Sequence, residues 1–293
     1  MQNRQKFTLL AVSLATCFWL QSCTQTSQTE TRSPDAVQEK LTITGSSTVA
    51  PLVSEIAKRY EAQHPGVRID VQTGGSSRGI ADARSRLADI GMVSRTLKPD
   101  EAKELHSFAI ARDGISIIVN ADNPVKAIDD KKVVEIYEGK IENWKEVGGK
   151  DAPITVVNKA EGRSTLELFL SYFQLENSEI KADVVIGDNQ QGIKTVAGNP
   201  NAIGYVSIGA AEYDIQHGVP LKLLPIGGVE ATTQTVRDES FPLSRPLNLV
   251  TKTSPSGLTQ EFIQFAQSEK VYDLVKEQNF VAIEAKNLAQ TSR

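Results

Sequence analysis

Cysteine, histidine, methionine and tryptophan are scarce in this chain, numbering two, three, two and two among 293 residues. Two cysteines cannot build a disulfide scaffold. The histidines at 64, 106 and 217 show no metal-ligand spacing, and no cysteine follows residue 23, so no metal site is expected. There is no excess of positive charge: 32 Lys+Arg stand against 36 Asp+Glu, a net charge of −4, without the basic stripe of a nucleic-acid binder. There is also no apolar run long enough to cross a bilayer, since the stretch from Phe7 to Leu20 covers 14 positions where roughly 20 are needed. What is present, 40% hydrophobic and 23% charged residues, is the composition of a globular protein. Its length asks for two compact units or one large one.

Arg4 and Lys6 precede the Phe7–Leu20 run, and Gln21-Ser22-Cys23 follows it. Charge, short apolar segment and small residues in that order read as a secretory signal over residues 1–22. Leu20-Gln21-Ser22-Cys23 is similar to the lipobox of bacterial lipoproteins, which makes Cys23 the expected acylated first residue of the mature chain. Gln21 departs from the usual small or aliphatic residue there. Cleavage removes 22 residues and two positive charges, leaving 271 residues at a net charge of −6. Residues 23–40 are polar with scarcely an apolar side chain, and are expected to be a flexible tether. The location expected is outside the cytoplasm, periplasmic or at the cell surface, with a lipid as the sole membrane attachment.

From Leu41 onward, short β-type runs alternate with amphipathic helices. Leu41–Thr44 reads as a strand; Val49, Leu52, Val53, Ile56, Ala57 and Tyr60 then recur at helical spacing until His64-Pro65-Gly66. The pattern continues through strands at 67–72, 89–93 and 108–120, and restarts after Asn123-Pro124 with further strands near 154–157, 184–186 and 203–206. A strand at 247–250 and two helices close the chain. This order predicts an α/β fold with largely parallel pairing. Two lobes are expected, residues 41–121 with 236–293 forming the first and residues 122–235 the second.

The informative residues lie in three strand-to-helix turns: Gly45-Ser46-Ser47-Thr48, Gly74-Gly75-Ser76-Ser77 and Gly162-Arg163-Ser164-Thr165. A helix start presents unpaired N–H groups and partial positive charge, and serine or threonine adds hydroxyl donors, so three such turns can converge on one oxyanion. Ser and Thr are also ordinary N-caps, which is the bland reading of any one of them. No Gly-Lys-Ser/Thr follows the glycines, so the turns are not nucleotide-binding loops. Gly75-Ser76-Ser77-Arg78-Gly79 fits the G-x-S-x-G nucleophile elbow, with Ser77 as the nucleophile of a hydrolase. The histidines offer it little, His106 being in a polar turn, His217 in a surface loop, and all three expected to face solvent. Asp129-Asp130-Lys131-Lys132 reads as a solvated cluster at a helix start, and Tyr137 and Trp144 as core.

Taken together, these turns with Asp89-Ile90-Gly91, Ile136-Tyr137-Glu138-Gly139-Lys140-Ile141, Trp144, Ala202-Ile203-Gly204-Tyr205-Val206 and Phe241-Pro242-Leu243-Ser244-Arg245-Pro246-Leu247 resemble the phosphate-binding proteins of high-affinity phosphate ABC transporters. These are type II periplasmic binding proteins, and the resemblance runs along nearly the whole mature chain. It implies two lobes, each a central mostly parallel sheet flanked by helices, joined by hinge strands. It also implies a monomer without cofactor or enzymatic activity, which holds inorganic phosphate in the interlobe cleft and delivers it to membrane permease subunits. Carried over by position, the phosphate contacts fall on Ser47, Thr48, Ser76, Ser77, Ser94, Arg95, Arg163, Ser164 and Thr165. Three positions depart from the pattern: Lys159 occupies the place of an arginine, Arg163 that of a serine, and Ser94 that of a carboxylate which accepts the proton of phosphate. Asp113 is a candidate substitute acceptor, although such an aspartate is more often a turn residue. A carrier or sensor for sulfate, molybdate or tungstate is the alternative, and the serine hydrolase a third.

Overall fold

The structure is a computed structural model and describes residues 39–283. The expected signal, Cys23 and all but the last two residues of the expected tether lie outside the described residues. Glu39 and Lys40 open the first strand, where they pair in register with Val67 and Arg68. Their side chains are exposed, so a hydropathy pattern carries no trace of a ladder made by backbone groups.

The first half of the fold runs β1 (Glu39–Gly45), α1 (Ala50–Gln63), β2 (Val67–Thr73), α2 (Ser76–Ser85), β3 (Ile90–Val93), the short α3 (Pro99–Ala102) and the long β4 (His106–Asn120). The second runs α4 (Asp130–Tyr137), β5 (Thr155–Lys159), α5 (Ser164–Phe173), β6 (Val184–Ile186), α6 (Asn189–Gly198), β7 (Ala202–Ser207), α7 (Ile208–Gln216), β8 (Leu221–Leu223) and α8 (Thr233–Arg237). The chain then returns through β9 (Ser244–Thr251), α9 (Gly257–Ala266), α10 (Tyr272–Glu277) and β10 (Val281–Ala282). Helices α6 and α7 are absent from the sequence reading. Each is nucleated by a side-chain cap, Asp188 accepting the Gln191 N–H and Ser207 the Ala210 N–H.

The strands line up as β2-β1-β3-β9-β4-β7-β5-β6, with β8 and β10 also on β4. Pairing is parallel within β2-β1-β3 and within β7-β5-β6, where helices supply the crossovers. In the middle, β9 and β4 run antiparallel to their neighbours. Both halves share β4: residues 106–114 pair with β9 and residues 115–119 with β7. Its buried run of Ile110, Ala111, Ile115, Ile117, Ile118 and Val119 is that of a strand covered on both faces.

Apolar side chains form separate cores on the two sides of this crossing. Leu41, Ile43, Leu52, Val53, Ile56, Leu247, Leu249, Phe262 and Ile263 belong to the first half's main cluster. The second half's cluster runs from Ile115 to Leu243, takes in Val281 of β10, and contains Tyr137, Trp144, Phe169 and Tyr205. Phe169 stacks on Tyr205 at 3.9 Å between ring centroids and meets Tyr137 at 4.7 Å. A smaller cluster covers the other sheet face of each half, Ile80 and Val93 in one, Val157, Ile193 and Val206 in the other. Because Phe169 fills the centre of an aromatic cluster with no exposure, Phe169→Ala is expected to lower the unfolding free energy by about 3–5 kcal/mol, measurable as an earlier urea midpoint.

Candidate anion-binding site

The first turn is shaped by a glycine and a serine. Gly45 has φ +133°, and a Cβ there would lie 2.3 Å from the Met92 carbonyl oxygen, so no other residue fits. Ser46 then folds its hydroxyl back to accept the N–H groups of Thr48 (3.2 Å) and Val49 (3.4 Å). With its lone pairs so used, the Ser46 hydroxyl donates onward to Ser94 Oγ at 2.9 Å. The second turn packs under the first, Gly74 and Gly75 both donating to the Gly45 carbonyl, and Ser76 Oγ accepts the Ser94 N–H at 3.2 Å. Gly75, at φ +97°, lies against the third turn: a Cβ would meet the Gly162 carbonyl at 2.6 Å. That carbonyl accepts the Ser77 N–H at 3.2 Å, a backbone bond between the two halves.

At the centre is Arg245, the second residue of β9 and 2% exposed. It is the direct cross-strand partner of Asp113 on β4, and Nε and Nη2 donate to Asp113 Oδ2 at 3.1 and 2.8 Å. The remaining donors reach hydroxyls from both halves: Nη1 to Thr165 Oγ1 at 3.0 Å and Ser94 Oγ at 3.4 Å, and Nη2 to Thr48 Oγ1 at 3.3 Å. Thr48 Oγ1 also accepts Asn189 Nδ2 at 3.1 Å. A hydroxyl oxygen that already accepts two hydrogen bonds can only donate. Thr48 and Ser94 are both in that state, so each has only a hydrogen to give, that of Ser94 lying within 3.5 Å of Ser76 Oγ. Ser164 Oγ, buried at the start of α5, has no hydrogen-bond partner among the described residues.

Two further cations approach the cluster. Lys159, at the end of β5 and 3% exposed, donates from Nζ to Asn189 Oδ1 at 3.0 Å, which turns the Asn189 amide toward Thr48. Burial, then the charges of Arg245 and Arg163, push its ammonium down to about 7, with Asp188 opposing them. The Arg163 side chain lies across Gly75 and Gly187, and its guanidinium makes no hydrogen bond or ion pair with the described residues. An open cavity of about 470 Å³ adjoins the cluster, with Ser47, Thr48 and Asn189 in its wall.

The structure thus gathers Thr48, Ser76, Ser94 and Thr165 into one hydrogen-bonded cluster, with Ser47 at its edge. Arg95 is placed elsewhere. Its guanidinium pairs with Glu101 at 2.6 Å and with Glu167 at 2.9 Å. Against the cost of burial, its hydrogen bond and charge hold the Glu101 carboxyl below the usual range. Lys98 also pairs with Glu167, at 3.2 Å, and Ser77 Oγ donates to it at 3.3 Å, so Arg95, Lys98 and Ser77 clip the first half to α5 of the second. Ser77 is exposed and bonded to a glutamate, and the described hydrogen bonds bring it no histidine. His64, expected to face solvent, is half-buried against the Tyr60 ring at 3.9 Å. Asp113 has its oxygens taken by Arg245 and the Gly209 N–H, which makes it a counter-ion. Arg245, Lys159 and Asn189 complete the cluster; of these the resemblance marks only Lys159, in the place of an arginine. Arg245 lies in the segment Phe241-Pro242-Leu243-Ser244-Arg245-Pro246-Leu247, which is its one trace in the sequence.

Asp113→Asn leaves the Arg245 charge buried without its counter-ion and is expected to cost about 3–5 kcal/mol of stability in urea unfolding. Adding Arg245→Met to that variant is expected to restore part of the loss.

A family model described as a PBP superfamily domain matches residues 29–270. The phosphate-binding protein PstS of Bacillus subtilis is 31% identical over 247 residues, which cover 83% of this chain and 80% of that protein. A Clostridium perfringens structure with bound phosphate, assigned to phosphate ABC transport, aligns at TM-score 0.77 and 33% identity, covering 84% of this chain and all of that one. An ABC-type phosphate transport receptor from Vibrio cholerae aligns at TM-score 0.69 and 32% identity, covering 83% of this chain and all of that one. With its α/β halves joined through shared strands and a family match over most of its length, the chain belongs to the PBP superfamily.

Proposed function

We propose that the protein captures inorganic phosphate between its two halves and hands it to the permease of an ABC transporter. The observation that carries this reading is the Arg245 cluster, in which one buried guanidinium bonds hydroxyls from both halves and Thr48 and Ser94 are turned into donors. An anion bound there makes charge-assisted hydrogen bonds worth about 1.5–3 kcal/mol each, enough in number to exceed its desolvation. The named activities of the relatives support phosphate as that anion. We take Ser47, Thr48, Ser76, Ser94, Ser164, Thr165, Arg163 and Lys159 as the groups around the ligand. Ser77 and Arg95 help to hold the halves together. The lobes in this reading follow the apolar clusters and part near residues 114 and 243, with β4 and β9 bending as the hinge. Binding involves no bond making or breaking, the protein acts as a monomer, and acylated Cys23 anchors it outside the cytoplasm.

A second reading, a carrier for another oxyanion, draws on the same donors. Ser94 has only a hydrogen to give and Asp113 is occupied, so neither accepts the proton that separates phosphate from sulfate. Titration calorimetry with phosphate, sulfate, arsenate and molybdate discriminates the two. Phosphate is expected to bind more tightly than sulfate near neutral pH; the reverse order establishes the second reading. Arg163→Ala is expected to weaken phosphate binding about tenfold or more, the loss of one charge-assisted contact. An unchanged dissociation constant places the Arg163 guanidinium outside the ligand's reach.

A further inference from the structure

Lys159 is a charged residue type in a place that favours its neutral form. Its Nζ is buried and its one hydrogen-bond partner among the described residues is the neutral Asn189 side chain. The charged groups that act on it are Arg245 from β9, Arg163 from the turn before α5 and Asp188 from the start of α6. Arg245 is compensated by Asp113, while the Asp188 carboxylate is drawn to the Gln191 N–H as a helix cap. Tyr205, whose hydroxyl accepts the Lys159 backbone N–H, is itself un-ionised, its phenol raised far above the usual range by burial. No carboxylate forms an ion pair with Lys159 among the described residues, so an ammonium there meets two guanidinium groups at low dielectric.

An oxyanion in the cluster reverses this balance by supplying the missing negative charge. We propose that Lys159 couples ligand binding to proton uptake: its side chain is a neutral amine before binding and becomes an ammonium, with a proton drawn from solvent, when the oxyanion arrives. The inference rests on the oxyanion reading of this site. An arginine, which the resemblance places at this position, is permanently charged and cannot do this. The departure therefore changes what the site does: the charge that holds the ligand appears on demand, and affinity depends on pH. Between the midpoint of the free protein and the higher midpoint of the complex, each unit rise in pH removes about tenfold in affinity.

The test is carbon-13 NMR of the full mature chain labelled at lysine Cε, followed against pH with and without saturating inorganic phosphate. The Lys159 signal is identified by its loss in Lys159→Arg, or in Lys159→Gln should the arginine variant not fold. A midpoint near neutrality that moves up by two or more pH units with phosphate is the result expected. A Lys159 charged throughout from about pH 6 to 9 in the free protein, or a midpoint that phosphate does not move, overturns the proposal. If phosphate perturbs no resonance at all, the oxyanion reading fails with it. The ratio of wild-type to Lys159→Arg dissociation constants reads the same coupling, because phosphate's own ionisation affects both proteins alike. That ratio is expected to rise about tenfold between pH 7.5 and 8.5, and a flat ratio overturns the proposal.

Discussion

A guanidinium withdrawn from water is stable only beside a charge and enough acceptors to occupy its donors, and Arg245 meets both conditions through strand register. It faces Asp113 directly across β4 and β9, so the ladder that builds the sheet also aligns the ion pair. A slip of one residue would turn the two side chains to opposite faces and leave both charges buried alone. The pair sits where β4 passes from β9 to β7, which is where one half of the molecule becomes the other. Donors that leave Arg245 away from Asp113 therefore point toward hydroxyls of both halves.

Much of the site's chemistry follows from that placement. Arg245 fills the lone pairs of the hydroxyls it touches, and Ser46 and Asn189 fill the rest, so Ser94 and Thr48 present hydrogens. Such a cluster accepts a ligand made of acceptors and disfavours one that must donate. The same side chain bonds Thr48 and Ser94 on one side and Thr165 on the other, which ties ligand geometry to closure of the halves. A second tie, from Arg95, Lys98 and Ser77 to Glu167, works through exposed or partly exposed carboxylate and adds to closure without entering the ligand cluster.

The acidic balance of the whole chain opposes an anionic ligand, yet local charge decides the outcome. Screening limits the global field beyond about 8 Å at physiological salt, while Lys159, Arg163 and Arg245 lie within the cluster itself. Two of the three have no carboxylate partner among the described residues, and Asp113 balances the third. Such an arrangement carries net positive charge before any ligand arrives. Protein stability bears the repulsion, and the anion relieves it. Lys159, buried and acted on by two guanidinium groups, escapes that repulsion by giving up its proton until the anion arrives.

Alternating strands and helices, the glycine-rich turns and their hydroxyls could be read from residue order, because turn chemistry and helix starts depend on neighbours in the chain. Gly45 and Gly75, Ser46 and Thr48, Ser76, Ser164 and Thr165 fall in this class. So does the family resemblance, which rests on ordered motifs. Local pattern was silent about Glu39 and Lys40, whose pairing is purely backbone, and about the junction of the halves inside β4, which runs as one unbroken strand from His106 to Asn120. It was silent too about Arg95 and Asp113, which look like ligand contacts until their partners, Glu101 and Glu167 in one case and Arg245 in the other, are known. The residue types available to an anion site were determined by the sequence alone. Which hydroxyls become donors, which arginine is buried at the centre and which lysine loses its proton were decided by tertiary contacts between residues far apart in the chain, since a side chain's hydrogen-bond direction and charge depend on what surrounds it.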